Sequence, residues 1–183
     1  MTTPLSTADL LDGLSREQRY TYVFFWGDTP RRDGQVDASC LSQWFHAPFT
    51  VDGVRYPTAE HWMMAGKARL FGDFEAEQRI VAASHPQQAK ALGRQVSGFD
   101  TETWQEHRFD LVVEGNIHKF EQNDALRDYL LGTGERVLVE ASPLDRIWGI
   151  GLAATDDRAE NPAQWRGLNL LGFALMRVRE QLR

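Results

Sequence analysis

The run Tyr56-Pro57-Thr58-Ala59-Glu60-His61-Trp62-Met63-Met64-Ala65-Gly66-Lys67-Ala68-Arg69-Leu70-Phe71 is the stretch that most limits how this chain can fold. Pro57 ends whatever precedes it, and Thr58 is a good N-cap whose hydroxyl can take an orphan backbone N–H. A helix is therefore predicted from Ala59 onward. At about 100° per residue, Glu60, Met64, Lys67 and Phe71 share a sector about 60° wide, with Met63 at its edge. Ala65 and Trp62 occupy much of the far side, so the helix is apolar most of the way round. Only His61, Arg69 and the two ends read as wet. An acid and an amine thus lie on one stripe among Met and Phe. Seven residues rise about 10.5 Å, too far for the usual helical ion pair at three or four residues' spacing. Either a small polar ligand fits between them, or each finds a partner on a neighbouring element.

The rest of the chain has to enclose such a helix. Its 183 residues are enough for one domain with a real hydrophobic core. Six Trp and ten Phe supply bulk for that core, and rings of this kind also stack on planar heterocycles. The formal net charge of −6 argues against a general nucleic-acid binder, which needs a basic surface to release counterions. It leaves room for a small anionic substrate, because a local pocket can be positive on an acidic protein. Cys40 is the single cysteine, which excludes an internal disulfide framework, and with Asp37, Ala38 and Ser39 beside it no cation favours a thiolate. The N-terminal residues show no basic stretch followed by an apolar run, and no segment approaches about 18 consecutive apolar residues. A soluble, cytoplasmic protein with no membrane partner is expected.

Taken in order, residues 7–19 read as a surface helix with Leu10, Leu11 and Leu14 as its apolar face. Residues 20–26, rich in aromatic and β-branched side chains, read as a buried strand. Residues 27–37 read as a loop. Asp52-Gly53 between two β-favouring runs signals a hairpin that delivers the chain to the helix at Ala59. Asp73 can cap a helix over 74–83, Pro86 can open one over 86–94, and Asp100 can cap a long one over 101–122. The inner side of that long helix is marked by Trp104, Arg108, Leu111, Val112 and Phe120. A shorter helix over 124–131, a strand over 136–140, a loop-rich segment over 141–161 and a helix over 170–182 capped by Asn169 complete the chain. Arg177, Arg179 and Arg183 suit the last turn of that final helix. Few strands among helices of varied length, without repeats, linkers or regular alternation, predict an α+β fold: a single, mostly helical domain with a small β-sheet.

The common catalytic fingerprints are absent, including the nucleophile elbow, the P-loop, the zincin helix and paired cysteines. Gly149-Ile150-Gly151 lacks the third glycine of a dinucleotide fingerprint. His46, His61, His85, His107 and His118 are scattered, and Glu114 with His118 reads as a solvated pair, so no protein-bound metal and no cofactor is expected. Two features remain: Glu60 with Lys67, and the run Ser142-Pro143-Leu144-Asp145-Arg146-Ile147-Trp148-Gly149. The second puts an acid, an arginine and a tryptophan on a loop directly after a strand, where catalytic groups concentrate. Asp145 is alternatively a turn residue or the partner of Arg146.

Phe25-Trp26, Leu41-Ser42-Gln43-Trp44, the Tyr-Pro-Thr-Ala-Glu-His-Trp run through Lys67, Leu92-Gly93-Arg94, Trp104, Lys119-Phe120, Asp145 to Gly149 and Asn169-Leu170-Leu171-Gly172 occur in the order of the NADAR, or YbiA-like, family. The resemblance spans roughly residues 20–182. It implies a YbiA-like domain over 20–183 preceded by an N-terminal helical extension over 1–19. The chain departs from the commoner pattern at Gln43, Met64 and Ile150, positions where asparagine, glutamine and aspartate are frequent. These departures bear on the substrate more than on the reaction.

The resemblance further implies hydrolysis of an N-glycosidic bond between ribose C1′ and an amine or base nitrogen. Lys67 would attack C1′ to form an imine with ring-opened ribose, which water then hydrolyses. Burial among Met63, Met64 and Phe71 would depress the lysine pKa and leave the amine neutral. Glu60, pushed the other way by burial, would protonate the leaving nitrogen. A buried Glu60–Lys67 ion pair would instead keep the lysine charged. Asp145 would bind ribose hydroxyls or orient water. Phe25, Trp44 and Trp148 would stack on the base, and Arg94 or Lys119 would meet a phosphate. Trp62 and Asn169 complete the substrate-binding set. The first substrate class is an aminopyrimidine ribose phosphate from early riboflavin biosynthesis, and the second is ADP-ribosylated guanine, as nucleotide or in nucleic acid. A silent ADP-ribose or NAD binding module is the non-enzymatic alternative, and it leaves a buried amine without a use.

Overall fold

Local sequence signals place most of the elements, which the computed structural model describes over residues 3–183. In chain order they are α1 (Thr7–Ser15), β1 (Tyr22–Phe25), β2 (Phe49–Val51), β3 (Val54–Tyr56), α2 (Ala59–Leu70), α3 (Phe74–Val81), α4 (Pro86–Gly93), α5 (Thr101–Glu121), α6 (Asp124–Gly132), β4 (Val137–Glu140) and α7 (Leu170–Gln181). Short 3-10 turns occur at Ala38–Leu41, Asp157–Glu160 and Pro162–Gln164. The fold is α+β, as the sequence predicts. Its residues gather into two compact units, one within Met1–Ser42 and Ala125–Arg183 and the other over Gln43–Asp124.

The Gln43–Asp124 unit is built on α2, which packs against α3, α4 and α5. Asp52 and Gly53 both take positive φ (49° and 80°), the backbone that a tight two-residue hairpin turn between β2 and β3 demands. The hairpin leads straight into α2. There the Thr58 hydroxyl accepts from the His61 N–H and pairs with the His61 ring. Asp73 and Asp100 cap α3 and α5 as expected, and His85 with Pro86 opens α4. Small residues let the helices close up. A methyl group on Gly115 of α5 would lie 2.6 Å from the Trp62 indole nitrogen, and one on Gly66 would lie 2.5 Å from Leu111 Cδ1. His61, read from sequence as wet, is fully buried: its Nε2 donates to the Ala83 carbonyl (3.1 Å) and its Nδ1 accepts from Thr58 (2.8 Å). Both ring nitrogens are used in neutral form, and burial holds the ring's pKa below the ordinary histidine value.

In the other unit β1 pairs in parallel with β4, from Tyr22 opposite Val137 to Phe25 opposite Glu140. Helix α7 packs on β4, with Leu171, Phe173, Ala174, Leu175 and Val178 buried. Two expectations are corrected here. On α1 only Leu10 is buried as part of an apolar face, whereas Leu11 and Leu14 are exposed, because Gly13 turns inward against Tyr20. Asn169 does not cap α7. It adopts a left-handed backbone (φ 54°), and its carboxamide bonds the edge of β4, donating from Nδ2 to Leu138 O (2.9 Å) and accepting at Oδ1 from Glu140 N (3.0 Å). The first N–H groups of α7 are met instead by the carbonyls of Ile147 and Trp148, which accept from Leu170 and Leu171. Arg179 lies in the last turn of α7, as expected, and there it is buried and donates to Thr133 Oγ1 and Arg136 O.

Candidate active site

Lys67 lies in the last turn of α2, where the chain crosses α4. Gly93, the last residue of α4, lets Met64 lie against its backbone, for a Cβ there would come within 2.9 Å of Met64 Cγ. That close approach brings the Gly93 carbonyl to 2.8 Å from Lys67 Nζ, which donates to it. Phe99, just after the positive-φ Gly98, places its ring centroid 4.1 Å from Nζ, and Trp104 of α5 lies at 5.7 Å. Phe71 closes on Phe99 edge-on at 5.3 Å. The half-buried amine is therefore walled by rings and by a helix end. The α4 carbonyl and the ring faces favour an ammonium, while burial disfavours it. Burial prevails, and the Lys67 pKa lies below the ordinary lysine value. Among the described residues no carboxylate forms a salt bridge with it, so the ion pair that would keep the lysine charged is not formed.

Glu60 occupies the first turn of the same helix and is only 2% exposed. Its N–H donates to the Gln43 carbonyl at 2.9 Å, so Gln43 helps to cap α2. Gln43 is itself buried and accepts at Oε1 from Asn116 Nδ2 (2.9 Å), which also donates to Val112 O (2.8 Å).

The same unit holds four further residues of the expected set. Trp44 is half-buried, edge-on to His85, with Lys90 Nζ 5.8 Å from its ring. Arg94 follows Gly93 directly, is exposed, and makes no salt bridge among the described residues. Lys119 is fully buried beside Phe120 and Phe45. Trp62 is built into the core against Tyr56, Phe49 and His118, and its indole N–H is given to Leu111 O (2.9 Å).

Phe25, Asp145, Trp148 and Asn169 belong to the other unit. Phe25 is buried at the end of β1, and its carbonyl accepts from Ala141 N. Asp145 is the turn residue, not the partner of Arg146: its Oδ1 accepts from the N–H groups of both Ile147 and Trp148 (2.8 Å each). The turn leaves Trp148 half-buried. Gly149 has to be glycine, since a Cβ would lie 2.8 Å from Glu140 O. Among the described residues no cluster of three His, Cys, Asp or Glu could hold a metal ion. No described helix is long and apolar enough to cross a membrane.

Sequence reasoning did not single out Phe99 or Asn116, and it read Trp104 as helix packing and as part of the family pattern, with no place beside Lys67. Asn116 left a trace, as a polar residue on the Val112, Val113, Phe120 face of α5. Phe99 left none, because it reaches Lys67 only through the turn at Gly98.

These features define a class: an α+β protein whose central helix carries a buried acid near its start and a desolvated, salt-bridge-free lysine near its end. The chain belongs to the NADAR domain family, whose model matches residues 24–183. It is 44% identical over 165 residues to N-glycosidase R617 of Acanthamoeba polyphaga mimivirus, covering 87% of this chain and 95% of that one. It is 33% identical over 150 residues to N-glycosidase YbiA of Escherichia coli, covering 82% and 83%. The NMR structure of the Escherichia coli protein YbiA aligns with a TM-score of 0.71 at 30% identity, over 90% of this chain and 86% of that one. The family is the one the sequence resembles. The chain is an enzyme, a hydrolase acting on N-glycosyl compounds.

Proposed function

We propose that this enzyme cleaves the ribose C1′–N bond of a ribosylated aminopyrimidine phosphate, an early riboflavin-pathway intermediate, through a Schiff base on Lys67. The observation that carries the reading is the state of Lys67: a lysine held below its ordinary pKa by burial, bonded to a carbonyl and to no carboxylate salt-bridge partner. A lowered pKa raises the share of the neutral amine, the form that acts as a nucleophile. In the proposed sequence Nζ bonds to C1′ and the C1′–N bond breaks. Glu60 gives its proton to the departing nitrogen, and the proton from Nζ passes to the ring oxygen as the ribose opens. Water then adds to the protonated imine, releasing the sugar aldehyde, restoring the neutral amine and returning a proton to Glu60.

Arg94 is the phosphate partner best supported, being an exposed guanidinium one residue beyond the carbonyl that holds Lys67. Lys119 is enclosed, and its part is taken as positioning. Trp44 and Trp148, both half-buried, are the proposed stacking rings, and Asp145 the residue that orients sugar or water from the loop it shapes. Trp62, Phe25 and Asn169 support the scaffold. The net charge of −6 favours a small phosphorylated substrate over ADP-ribosylated nucleic acid. Incubation with the ribosylated aminopyrimidine phosphate and, separately, with ADP-ribosylated guanosine, following release of the free base, tests the reading. Release from the first, lost in Lys67→Ala while ligand binding persists, is expected. Release only from the second, or equal release by Lys67→Ala, overturns it.

A further inference from the structure

Gln43 and Asn116 contain a buried donor and a buried acceptor that meet no partner among the described residues: Gln43 Nε2 and Asn116 Oδ1. Both side chains are at least nine-tenths buried, with Gln43 at 7% exposure and Asn116 at 0%. Their orientations follow from the network. Turning the Asn116 amide would set its oxygen against Val112 O, and turning Gln43 would set its NH2 group against that of Asn116. The unused atoms are therefore a fixed N–H donor and a fixed carbonyl acceptor on two amides joined to each other. Leaving buried amide groups unsatisfied is costly, and a family enzyme that places them beside the first turn of its central helix has a reason to do so. The Gln43 backbone carbonyl accepts from Glu60 N, which fixes the pair to the turn that carries the acid.

A group that both accepts and donates satisfies both atoms at once, and a sugar hydroxyl is such a group. A hydroxyl accepts from Gln43 Nε2 through its oxygen and donates its hydrogen to Asn116 Oδ1. An ammonium fails the donor, and a carboxylate or phosphate oxygen fails the acceptor. We propose that Gln43 and Asn116 form a specificity-determining hydroxyl clamp that recognises a ribose hydroxyl of the substrate. The clamp rests on the N-riboside reading above and adds to it the discrimination between ribose and its deoxy forms.

Ribose 5-phosphate, 2-deoxyribose 5-phosphate and 3-deoxyribose 5-phosphate, titrated calorimetrically into the full chain, serve as probes. The wild type is expected to prefer the ribose over one of the two deoxy sugars on the order of 10- to 100-fold, since an unmet clamp forfeits a buried hydrogen bond and its desolvation. Gln43→Glu keeps the bond to Asn116 Nδ2 but replaces the donor with an acceptor. Gln43→Met with Asn116→Leu removes all the polar atoms, and its melting temperature reports folding. Both variants are expected to bind the ribose and the deoxy sugar within about threefold of each other. A wild type that binds all three alike, the result if the pair holds only a structural water, overturns the clamp and leaves the N-riboside reading standing. Variants that keep the wild-type preference do the same. A wild type that binds none of the sugars and releases no base overturns the N-riboside reading and the clamp with it.

Discussion

Asn169 offers the most quantitative check on how the Asp145 loop, α7 and β4 are joined. Its carboxamide acts as one more peptide on the open edge of β4, donating to Leu138 O and accepting from Glu140 N. Asn169→Ala removes both bonds at once. Each buried backbone group that loses its partner costs about 1–3 kcal/mol, and an alanine forced to keep φ near 54° adds about 1–2 kcal/mol. The sum is about 3–8 kcal/mol, which for a chain of this size lowers Tm on the order of 10–30 °C. Asn169→Asp is the sharper variant. It retains an acceptor for Glu140 N but sets a carboxylate oxygen against Leu138 O, so it is destabilised at neutral pH and recovers in part once the acid is protonated and can donate. Urea denaturation of the two variants at pH 7 and near pH 4 measures this. If Asn169→Ala unfolds within about 0.5 kcal/mol of wild type while its substrate KM rises, Asn169 is a ligand contact and the edge-pairing argument is wrong.

Three further outcomes follow from the geometry. Gly115→Ala is expected to destabilise by about 1–2 kcal/mol, because the added methyl meets the rigid Trp62 indole and this outweighs the gain in helix propensity, whereas Gly66→Ala meets only the mobile end of Leu111 and stays near neutral; chemical denaturation separates the two. His61 has a folded-state pKa below 6.5, so the unfolded chain protonates first as pH falls, and stability declines below about pH 6.5; denaturant midpoints against pH should lose that slope in His61→Asn. Lys67 likewise has a folded-state pKa below 10.5, so base release should rise with pH along a limb whose midpoint lies below that value. Stability should rise from that midpoint toward 10.5, because the unfolded chain then holds the extra proton, and Lys67→Met should flatten this slope.

Signals confined to a few neighbouring residues were legible. The Asp52-Gly53 turn, the Thr58, Asp73 and Asp100 caps and the Pro86 start each depend on local backbone chemistry, and each was found where the sequence placed it. The stripe that joins Glu60 to Lys67 was legible for the same reason, since helical periodicity is local. What could not be read is what arrives from far along the chain. The parallel pairing of Tyr22 with Val137 leaves no local mark, although both strands were recognised. Asn169 looked like a cap because asparagine often is one, and only the edge of β4 reveals its use. His61 looked wet because the partner that makes its burial tolerable, the Ala83 carbonyl, comes from beyond the end of α3. The Lys67 surroundings have the same character: Gly93 and Phe99 lie 26 and 32 residues further on, and nothing near Lys67 in sequence calls for them.

The central claim is that Lys67 forms a covalent imine during turnover, and trapping it is the most direct measurement. Enzyme and ribosylated aminopyrimidine phosphate are mixed in the presence of borohydride, and intact mass and peptide mapping are read together. The account predicts a single reduced sugar-phosphate adduct located on Lys67, formed only with substrate present and absent from Lys67→Ala. Continued base release with unchanged protein mass, or an adduct on another residue that also appears in Lys67→Ala, contradicts it.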